Sequence, residues 1–359
     1  MATVSEAPTS LQDPAALLAA LQRLRRGEPG LRIRDAAARL GVSEAELVAA
    51  RCGDTAVRLD ADWGALIKEL PELGRVMALT RNESAVHEKV GEYGKVSVMK
   101  SMGLVLNEEI DLRIFLWRWH HGFAVTEDVR SGTRRSLQFF DCDGTAIHKI
   151  YLRDDSNWQA YEALIERHRA ADQSAGLKVK AKPEAAAARP DAEIDRAALR
   201  ARWETLNDVH DFHGMLQDLG VERQQAFRLV GEDFAWPLDN AALVQTLESA
   251  RDRGIEIMVF VGSPGVIQIH SGPVQNLKAM GPWFNVLDPG FNLHLRLDQV
   301  AASWAVRKPQ SDSLVTSLEL FDAAGNIIAT LFGKRKPGQM ELESWRSLID
   351  ELPRAEAPA

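Results

Sequence analysis

The sequence predicts an α+β fold built by tandem duplication, in which each half combines a helical segment with a large antiparallel β-sheet. Residues 82–147 align with residues 263–328 without a gap, at an offset of 181 residues, so that SLQFFDCDG matches SLELFDAAG. In each half a stretch of helical periodicity precedes short β-rich runs separated by Gly, Asn and Asp. Helices followed by strands, rather than alternating with them, indicate α+β and not α/β.

The first half begins with about 70 residues of helical character. Leucines recur at helical spacing from Leu17 to Leu24, and Ser43 followed by Glu46 predicts a helix-capping box. The residue pattern then changes from helical periodicity to short β-rich runs, which predict a many-stranded antiparallel sheet. A predicted helix over 156–170 ends this half. The predicted strands are RVMALT, KVSVM, GLVLN, IDLRIFLW, GFAVTED, SLQFFD and AIHKIYL.

The second half repeats this order, with helices over about 196–252, strands over about 255–333 and a closing helix over 341–352. Between the halves lies a stretch rich in Ala, Lys and Pro without apolar periodicity, which is typical of a linker. The predicted organisation is therefore an N-terminal repeat, a linker and a C-terminal repeat, at 1–170, 171–195 and 196–359.

Composition narrows the classes of function. The net charge of -8 disfavours nucleic acid or an anionic membrane surface as the main partner. The helix-turn-helix likeness of residues 33–49 is weak, and we interpret it as a structural helical hairpin rather than a DNA reader. Two cysteines without C-x-x-C spacing favour a reducing cytoplasm, and we expect neither a signal peptide nor membrane insertion.

The histidines distinguish the two copies. The segment DVHDFHG, ahead of the second LGV, contains His210 and His213, where the first copy has Leu31 and Arg34. Their spacing of three residues predicts that both lie on one face of a helix. A duplicated scaffold with histidines in only one copy predicts that the C-terminal repeat carries the chemistry.

Spacing alone leaves three interpretations of these histidines open. They are satisfied structural side chains, or one ligates a large cofactor, or they form a zinc site with His270 and His294. Aromatic residues are plentiful in this half, and Arg223, Lys308 and Arg335 supply cations near the ends of elements. An imidazole, an apolar slot and nearby cations are what haem requires, so the surroundings favour the cofactor interpretation.

Over essentially its whole length the chain resembles the cytoplasmic haem-utilisation proteins of Gram-negative bacteria, described as hemin-degrading factors or haem-trafficking proteins. The matching runs are ordered and specific: RDAAARLGVSEAEL, ALTRNESAVHEKVGEY, IDLRIFL, SLQFFD, DVHDFHGML, RQQAFRLV, EIMVFVG, FNLHL, RKPQSDSLVTSLELFD and FGKRKPGQ.

The resemblance implies a haem site in the C-terminal repeat. By matched position, His210 is the axial ligand of the haem iron, and Arg113 of the N-terminal repeat is the distal residue. Arg223, Lys308 and Arg335 match positions that contact propionates or line the pocket rim. Arginine stays protonated at ordinary pH, so we expect Arg113 to hydrogen-bond an iron-bound water rather than to ligate the metal.

Two departures from the family pattern affect this expectation. Phe332 and Thr330 stand where some relatives have Tyr and Gln, which removes two polar pocket contacts. His213 and His270 stand where some relatives have Phe, so each is an alternate iron ligand to be tested.

The function implied is a cytoplasmic protein that binds haem b and delivers imported haem to a haem oxygenase for iron release. A haem oxygenase and an inner-membrane haem transporter are the expected protein partners. The alternative is an enzyme that itself degrades haem, because a carrier and an oxygenase require the same axial histidine. A DNA-binding regulator is a third class, which the acidic charge opposes.

Overall fold

The computed structural model describes residues 13–129, 132–182, 188–311, 313–335 and 339–355, without the side chain of His210. Among these residues, no helix is long and apolar enough to cross a membrane. The α-helices in this part of the chain are α1 (Pro14–Gly27), α2 (Ile33–Leu40), α3 (Glu44–Ala49), α4 (Trp63–Glu69), α5 (Trp158–Arg167), α6 (Arg196–Glu204), α7 (Phe212–Leu219), α8 (Arg223–Val230), α9 (Ala242–Arg253) and α10 (Glu343–Asp350).

The strands divide into nine that precede the linker region and nine that follow it, counted over the same described residues. The first set is β1 (Ala56–Arg58), β2 (Gly74–Arg81), β3 (Ala85–Gly91), β4 (Val96–Met99), β5 (Met102–Leu106), β6 (Asp111–Phe115), β7 (His121–Val129), β8 (Gly132–Phe140) and β9 (Ala146–Ser156). The second set is β10 (Ala235–Leu238), β11 (Ile257–Gly262), β12 (Val266–Gly272), β13 (Leu277–Met280), β14 (Trp283–Asp288), β15 (Phe291–Arg296), β16 (Ala302–Gln310), β17 (Ser313–Phe321) and β18 (Ile327–Gly333).

The chain forms two compact units. Unit 1 comprises Met1–Arg81, Glu88–Pro183 and Ser263–Gln268, and unit 2 comprises Asn82–His87, Glu184–Gly262 and Ile269–Ala359. Strands β3 and β12 therefore each contribute residues to both units. Residues up to 182 belong to unit 1 and residues from 188 to unit 2, apart from the short exchanged segments, so the chain passes between the units within the predicted linker 171–195.

Each unit contains one large antiparallel sheet. In unit 1 the strand order is β1-β7-β8-β9-β2, and in unit 2 it is β10-β16-β17-β18-β11. The registers match at the repeat offset, since Leu137 pairs with Ile150 in unit 1 and Leu318 pairs with Leu331 in unit 2. Smaller antiparallel groups accompany them, β4-β5-β6 in unit 1 and β13-β14-β15 in unit 2. Helices plus large antiparallel sheets confirm the predicted α+β class.

The helices cover the sheets through their apolar faces. In unit 2, Trp345 of α10 is fully buried in a cluster with side chains of β11, β17 and β18. In unit 1, Trp63 of α4 packs in a cluster with Phe139 of β8 and Leu112 of β6. Each fully buried aliphatic or aromatic side chain of this kind stabilises the folded state by about 1.5–3 kcal/mol.

A chain of polar groups crosses the interior of unit 1. The Tyr93 hydroxyl donates to Nε2 of His148 over 2.6 Å, and Nδ1 of His148 donates to Oγ1 of Thr80 over 2.9 Å. Thr80 in turn donates to Oε1 of Gln268, whose amide donates to the carbonyl of Ala78. Each donor meets an acceptor, so the buried imidazole is held neutral, and its burial lowers the pKa of His148 to about 3.

The helix-turn-helix likeness is realised as a structural hairpin. Helix α2 ends at Gly41 in the left-handed conformation, and Ser43 with Glu46 forms the predicted capping box at the start of α3. Five of the six residues of α3 are buried, Glu44 among them. Helix α3 therefore packs within unit 1 over most of its surface, and the interpretation that the hairpin does not read DNA stays a prediction.

Three strands differ from the sequence prediction. The predicted helical stretch of the first 70 residues contains β1, and the predicted helical stretch 196–252 contains β10. Both are short edge strands that pair only with β7 and β16 among the described strands, so tertiary pairing determines them rather than local pattern. Strand β3 is absent from the predicted runs because acidic and basic residues interrupt its apolar alternation.

Candidate functional site

The segment with the two histidines begins with a tight turn. His210 lies in the 3-10 turn Val209–Asp211, and α7 starts only at Phe212, with His213 exposed in its first turn. The two histidines therefore do not belong to one α-helix, since His210 precedes α7 and His213 lies within it, and the expectation that they share a helical face stays a prediction. Asp211 is the residue ahead of α7 and makes no side-chain capping bond.

A buried aromatic group lies beneath this segment. Phe212 is 2% exposed and packs edge-on against Trp203 of α6, with ring centroids 4.7 Å apart. Phe227 of α8 stacks on Phe212 at 6.3 Å. The Trp203 indole donates to the carbonyl of Arg307 in β16 over 2.9 Å, which ties α6 to the sheet. The first residue of α7 is therefore packed into a buried aromatic group.

Two predicted site cations meet at a carboxylate that the sequence analysis did not single out. Arg223, the first residue of α8, donates through Nε and Nη2 to Glu319 of β17 over 2.6 and 3.0 Å. Lys308 of β16 donates to Oε1 of the same carboxylate over 2.5 Å. Both cations also lie over the ring of Phe212, at 5.0 Å for Arg223 and 4.7 Å for Lys308. The structure thus places both directly against the residue that starts α7.

The electrostatics of this cluster leave a net positive charge. Burial by itself would raise the pKa of the Glu319 carboxyl, but Arg223 and Lys308 hold it at about 2. Burial lowers the pKa of the Lys308 ammonium to about 8, against the attraction of Glu319. At neutral pH two cations therefore face one carboxylate, and the net charge of the three groups is positive by one.

Arg335, the third predicted cation, lies near the histidine segment. It follows β18 and donates through Nη1 to Oε1 of Gln310 over 2.7 Å. Burial lowers its pKa, while the negative charges of Glu341 and of Asp208, two residues before His210, act in the opposite direction. The backbone of Ser311, at the end of the β16–β17 hairpin, donates to the carbonyl of Asn207 over 3.1 Å. The turn is therefore anchored to this hairpin as well as to the aromatic group.

Arg113 belongs to unit 1, whereas the other predicted site residues belong to unit 2. It lies on β6 and is ion-paired with Asp111 two residues earlier on the same strand. Its assignment as the distal residue stays a prediction.

The remaining candidate histidines of unit 2 are engaged by neighbours. His270 of β12 is 6% exposed, donates through Nε2 to the carbonyl of Pro273 over 3.2 Å and stacks on Phe291 at 3.8 Å. His294 of β15 donates through Nδ1 to Oδ1 of Asn285 over 2.7 Å. These contacts are typical of structural histidines, and a ligand role for His270 stays a prediction.

The first repeat has the opposite charge at two equivalent positions. Glu44 stands at the position of Arg223, and Glu127 stands at that of Lys308. Glu44 is buried and ion-paired with Arg81 and Lys149, so unit 1 also contains a buried charge cluster, arranged differently.

Comparison with known proteins identifies the family. The chain matches the haemin-degrading HemS.ChuX domain over residues 41–168 and 220–352, once in each repeat, which confirms the tandem duplication. It is 42% identical over 326 residues to the hemin transport protein HmuS of Yersinia pestis, and the match covers 90% of this chain and 93% of that protein.

Solved structures agree over nearly the whole chain. Holo-PhuS, a heme-binding protein from Pseudomonas aeruginosa, superposes with a TM-score of 0.93 at 51% identity, over 95% of this chain and 99% of its own. The heme degrading enzyme ChuS of Escherichia coli O157:H7 gives a TM-score of 0.87 at 38% identity, over 93% and 98%. With a family match in both repeats and relatives aligned over nine-tenths of its length, the chain belongs to the haemin-degrading HemS.ChuX domain family.

Proposed function

We propose that this chain binds haem b in unit 2, with His210 as the axial ligand, and carries imported haem through the cytoplasm to a haem oxygenase. The observation that carries this proposal is the similarity to holo-PhuS, a heme-binding protein, over 95% of the chain at 51% identity. An inner-membrane haem transporter would supply the cargo, and the oxygenase would receive it.

The chemistry of the histidine segment supports this assignment. A neutral imidazole nitrogen is a good ligand for haem iron, and the turn that carries His210 is anchored by the aromatic group beneath Phe212. The buried cluster of Arg223, Lys308 and Glu319 retains one positive charge, which attracts the negatively charged propionates of haem. His213, exposed one turn from His210, would serve as an alternate ligand during loading or release.

The burial of the cations bears on which of them contact a propionate directly. Lys308 is 3% exposed and already donates to Glu319, so a direct bond to a propionate would require it to leave a buried partner. Arg223 also donates to Glu319, but its side chain is 25% exposed. Half-buried Arg335 likewise reaches solvent more readily than Lys308. We therefore assign direct propionate contact to the two arginines and a long-range electrostatic role to Lys308.

A second candidate function is degradation of haem by the chain itself. The observation in its favour is the similarity to the heme degrading enzyme ChuS, with a TM-score of 0.87. In that case haem is the substrate, and the residues of unit 2 hold it while dioxygen serves as the oxidant and an external reductase supplies electrons.

One assay separates the two functions. The haem-loaded protein is supplied with a reductase in the presence of catalase, and bilin and released iron are measured. Ring opening that survives catalase supports the enzyme, whereas ring loss only without catalase supports the carrier. The carrier proposal requires a positive result as well: intact haem must pass to a haem oxygenase, and the absorption spectrum of the haem monitors this transfer.

A further inference from the structure

The turn that joins β8 to β9 in unit 1 has a close counterpart between β17 and β18 in unit 2. Asp141 N–H donates to the carbonyl of Thr145 over 2.9 Å, and the equivalent Asp322 N–H donates to that of Asn326 over 3.0 Å. The last residue before each turn makes an equivalent backbone hydrogen bond. The carbonyl of Phe140 accepts from the N–H of His120 over 2.9 Å, and the carbonyl of Phe321 accepts from that of Ala301 over 2.8 Å. The two backbones are the same in these respects.

The side chains on this shared backbone differ sharply between the copies. Unit 1 has His120, His121 and Cys142, where unit 2 has alanine at all three equivalent positions, and the aspartate is common to both. The alanines of unit 2 are Ala301, Ala302 and Ala323. The fold therefore does not require ligand-type side chains at these positions, and their presence in unit 1 calls for another explanation.

In unit 1 these side chains converge. One imidazole nitrogen of His120, a carboxylate oxygen of Asp141 and Sγ of Cys142 all lie within 4.8 Å of one another. Asp141 is 1% exposed and its Oδ1 accepts from the N–H of Cys142 over 2.7 Å, so the carboxylate is fixed. His120 is exposed and Cys142 is half-buried, so both side chains have room to rotate toward it.

The surroundings of His120 suit a ligand. Its Nδ1 lies 2.9 Å from the carbonyl of Arg118, which can only accept, so Nδ1 carries the proton and Nε2 carries the lone pair. The same Nδ1 lies 3.3 Å from Oδ1 of Asp141, so the ring must turn to present Nε2 to an ion beside that carboxylate. Metal-binding histidines commonly donate their second ring N–H to a backbone carbonyl, and the Arg118 carbonyl is such an acceptor for Nδ1. The neighbouring His121 hydrogen-bonds the backbone of Cys142 and so holds the turn in place.

We propose that His120, Asp141 and Cys142 form a binding site for a divalent cation of the zinc type in unit 1. Imidazole nitrogen, carboxylate oxygen and thiolate sulfur are the three ligand classes that zinc accepts, and three protein ligands leave a fourth position for water. A tetrahedral zinc ion separates its ligand atoms by about 3.3–3.6 Å, given bond lengths of about 2.0–2.3 Å. The three ligand atoms lie within 4.8 Å of one another, so His120 and Cys142 must rotate toward Asp141 to bind the ion.

Arg118 is the competitor of the metal ion. Its guanidinium is ion-paired with Asp141, and the equivalent residue of unit 2 is Gln299. Removing this positive charge strengthens cation binding, since a like charge within a few ångströms opposes the ion by a factor of about ten. The exchange Arg118→Gln is therefore expected to tighten binding about tenfold.

The test uses the full chain without haem, stripped of metals with a chelator and titrated with Co²⁺ as the spectroscopic probe. We expect one equivalent with a sulfur-to-metal charge-transfer band, which Zn²⁺ displaces. Cys142→Ala should abolish the band, and His120→Ala should weaken binding at least about 100-fold, because even outer-shell partners of metal ligands contribute 10–100-fold. Both variants install the residue of the other repeat, and circular dichroism verifies that they fold.

Three results from the wild type and the two ligand variants would overturn the proposal. They are the absence of a sulfur charge-transfer band in the wild type, a band that persists in Cys142→Ala, and an unchanged affinity in His120→Ala. Unchanged or weaker binding by Arg118→Gln would likewise contradict coordination through Asp141. Because the sulfur band reports only on a cysteine ligand, Co²⁺ bound at His210 or His213 does not produce it.

Discussion

Removal of the carboxylate that holds the two site cations is the most informative perturbation of unit 2. Glu319 is fully buried and accepts two hydrogen bonds from Arg223 and one from Lys308. The substitution Glu319→Gln keeps the volume and one acceptor oxygen but removes the charge. Lys308, 3% exposed, is then a buried ammonium that has lost its carboxylate.

The size of the effect follows from the shift in pKa. Burial opposes ionisation of Glu319, yet Arg223 and Lys308 lower its pKa from 4.5 to about 2. A difference of this size corresponds to about 3 kcal/mol of stability at neutral pH. Breaking a buried ion pair from one side independently suggests a cost of about 3–5 kcal/mol. We expect Glu319→Gln to lower the free energy of unfolding by about 3 kcal/mol.

The sign of the pH dependence follows as well. A carboxyl with a lowered native pKa contributes stability above its unfolded value of 4.5, and that contribution is lost as pH falls toward 2. The difference between the wild type and Glu319→Gln should therefore shrink below pH 4.5. Urea unfolding, monitored by circular dichroism at several pH values, measures this difference in the free energy of unfolding. Amide hydrogen exchange in β16 and β17 shows whether the destabilisation is local to these strands.

Two control variants sharpen the test. Glu204→Gln removes a carboxylate that pairs with Arg200 on the exposed face of α6, and it should cost no more than about 0.5 kcal/mol. Glu319→Gln combined with Lys308→Met removes both buried charges and should recover about 2 kcal/mol of the loss. A loss below about 1 kcal/mol in Glu319→Gln, or no recovery in the double variant, refutes the reasoning.

Two further predictions concern stability elsewhere in the chain. When the pH falls from about 8 to 5, the free energy of unfolding of the wild type should decrease by about 2 kcal/mol more than that of His148→Gln. The reason is that the unfolded histidine gains a proton near pH 6.5, while burial holds the native pKa at about 3. Equal decreases in urea titrations would show that His148 does not stay neutral. Gly333→Ala should lower the free energy of unfolding by about 1–3 kcal/mol, since the new Cβ would lie 2.6 Å from Cγ of fully buried Trp345. An unchanged thermal midpoint would indicate that α10 moves away at no cost.

Much of the fold is predictable from the internal repeat. Because the two copies align at one offset, the register Val125–Ser136 in unit 1 recurs as Val306–Ser317 in unit 2. Alternation of apolar residues identifies the long strands, and the Ser43 capping box identifies the start of α3. These features are local, so the sequence contains their whole signal.

The remaining features depend on contacts between distant residues. Strands β1 and β10 form by pairing with β7 and β16, and no apolar alternation marks them. The change from a 3-10 turn at His210 to α7 at Phe212 is not contained in the spacing of the two histidines along the chain. A single acidic residue in a strand, such as Glu319, can be recognised as part of a charge cluster only once the β16–β17 hairpin brings it within hydrogen-bond distance of Lys308.

The central claim is that unit 2 binds haem through His210. Ferric haem is titrated into the wild type, His210→Ala and His213→Ala, and the Soret band and its stoichiometry are recorded. The account predicts a one-to-one Soret shift in the wild type, lost or altered ligation in His210→Ala, and a wild-type spectrum in His213→Ala. An unchanged spectrum in His210→Ala with an altered one in His213→Ala would contradict the choice of ligand, and no shift in the wild type would contradict haem binding.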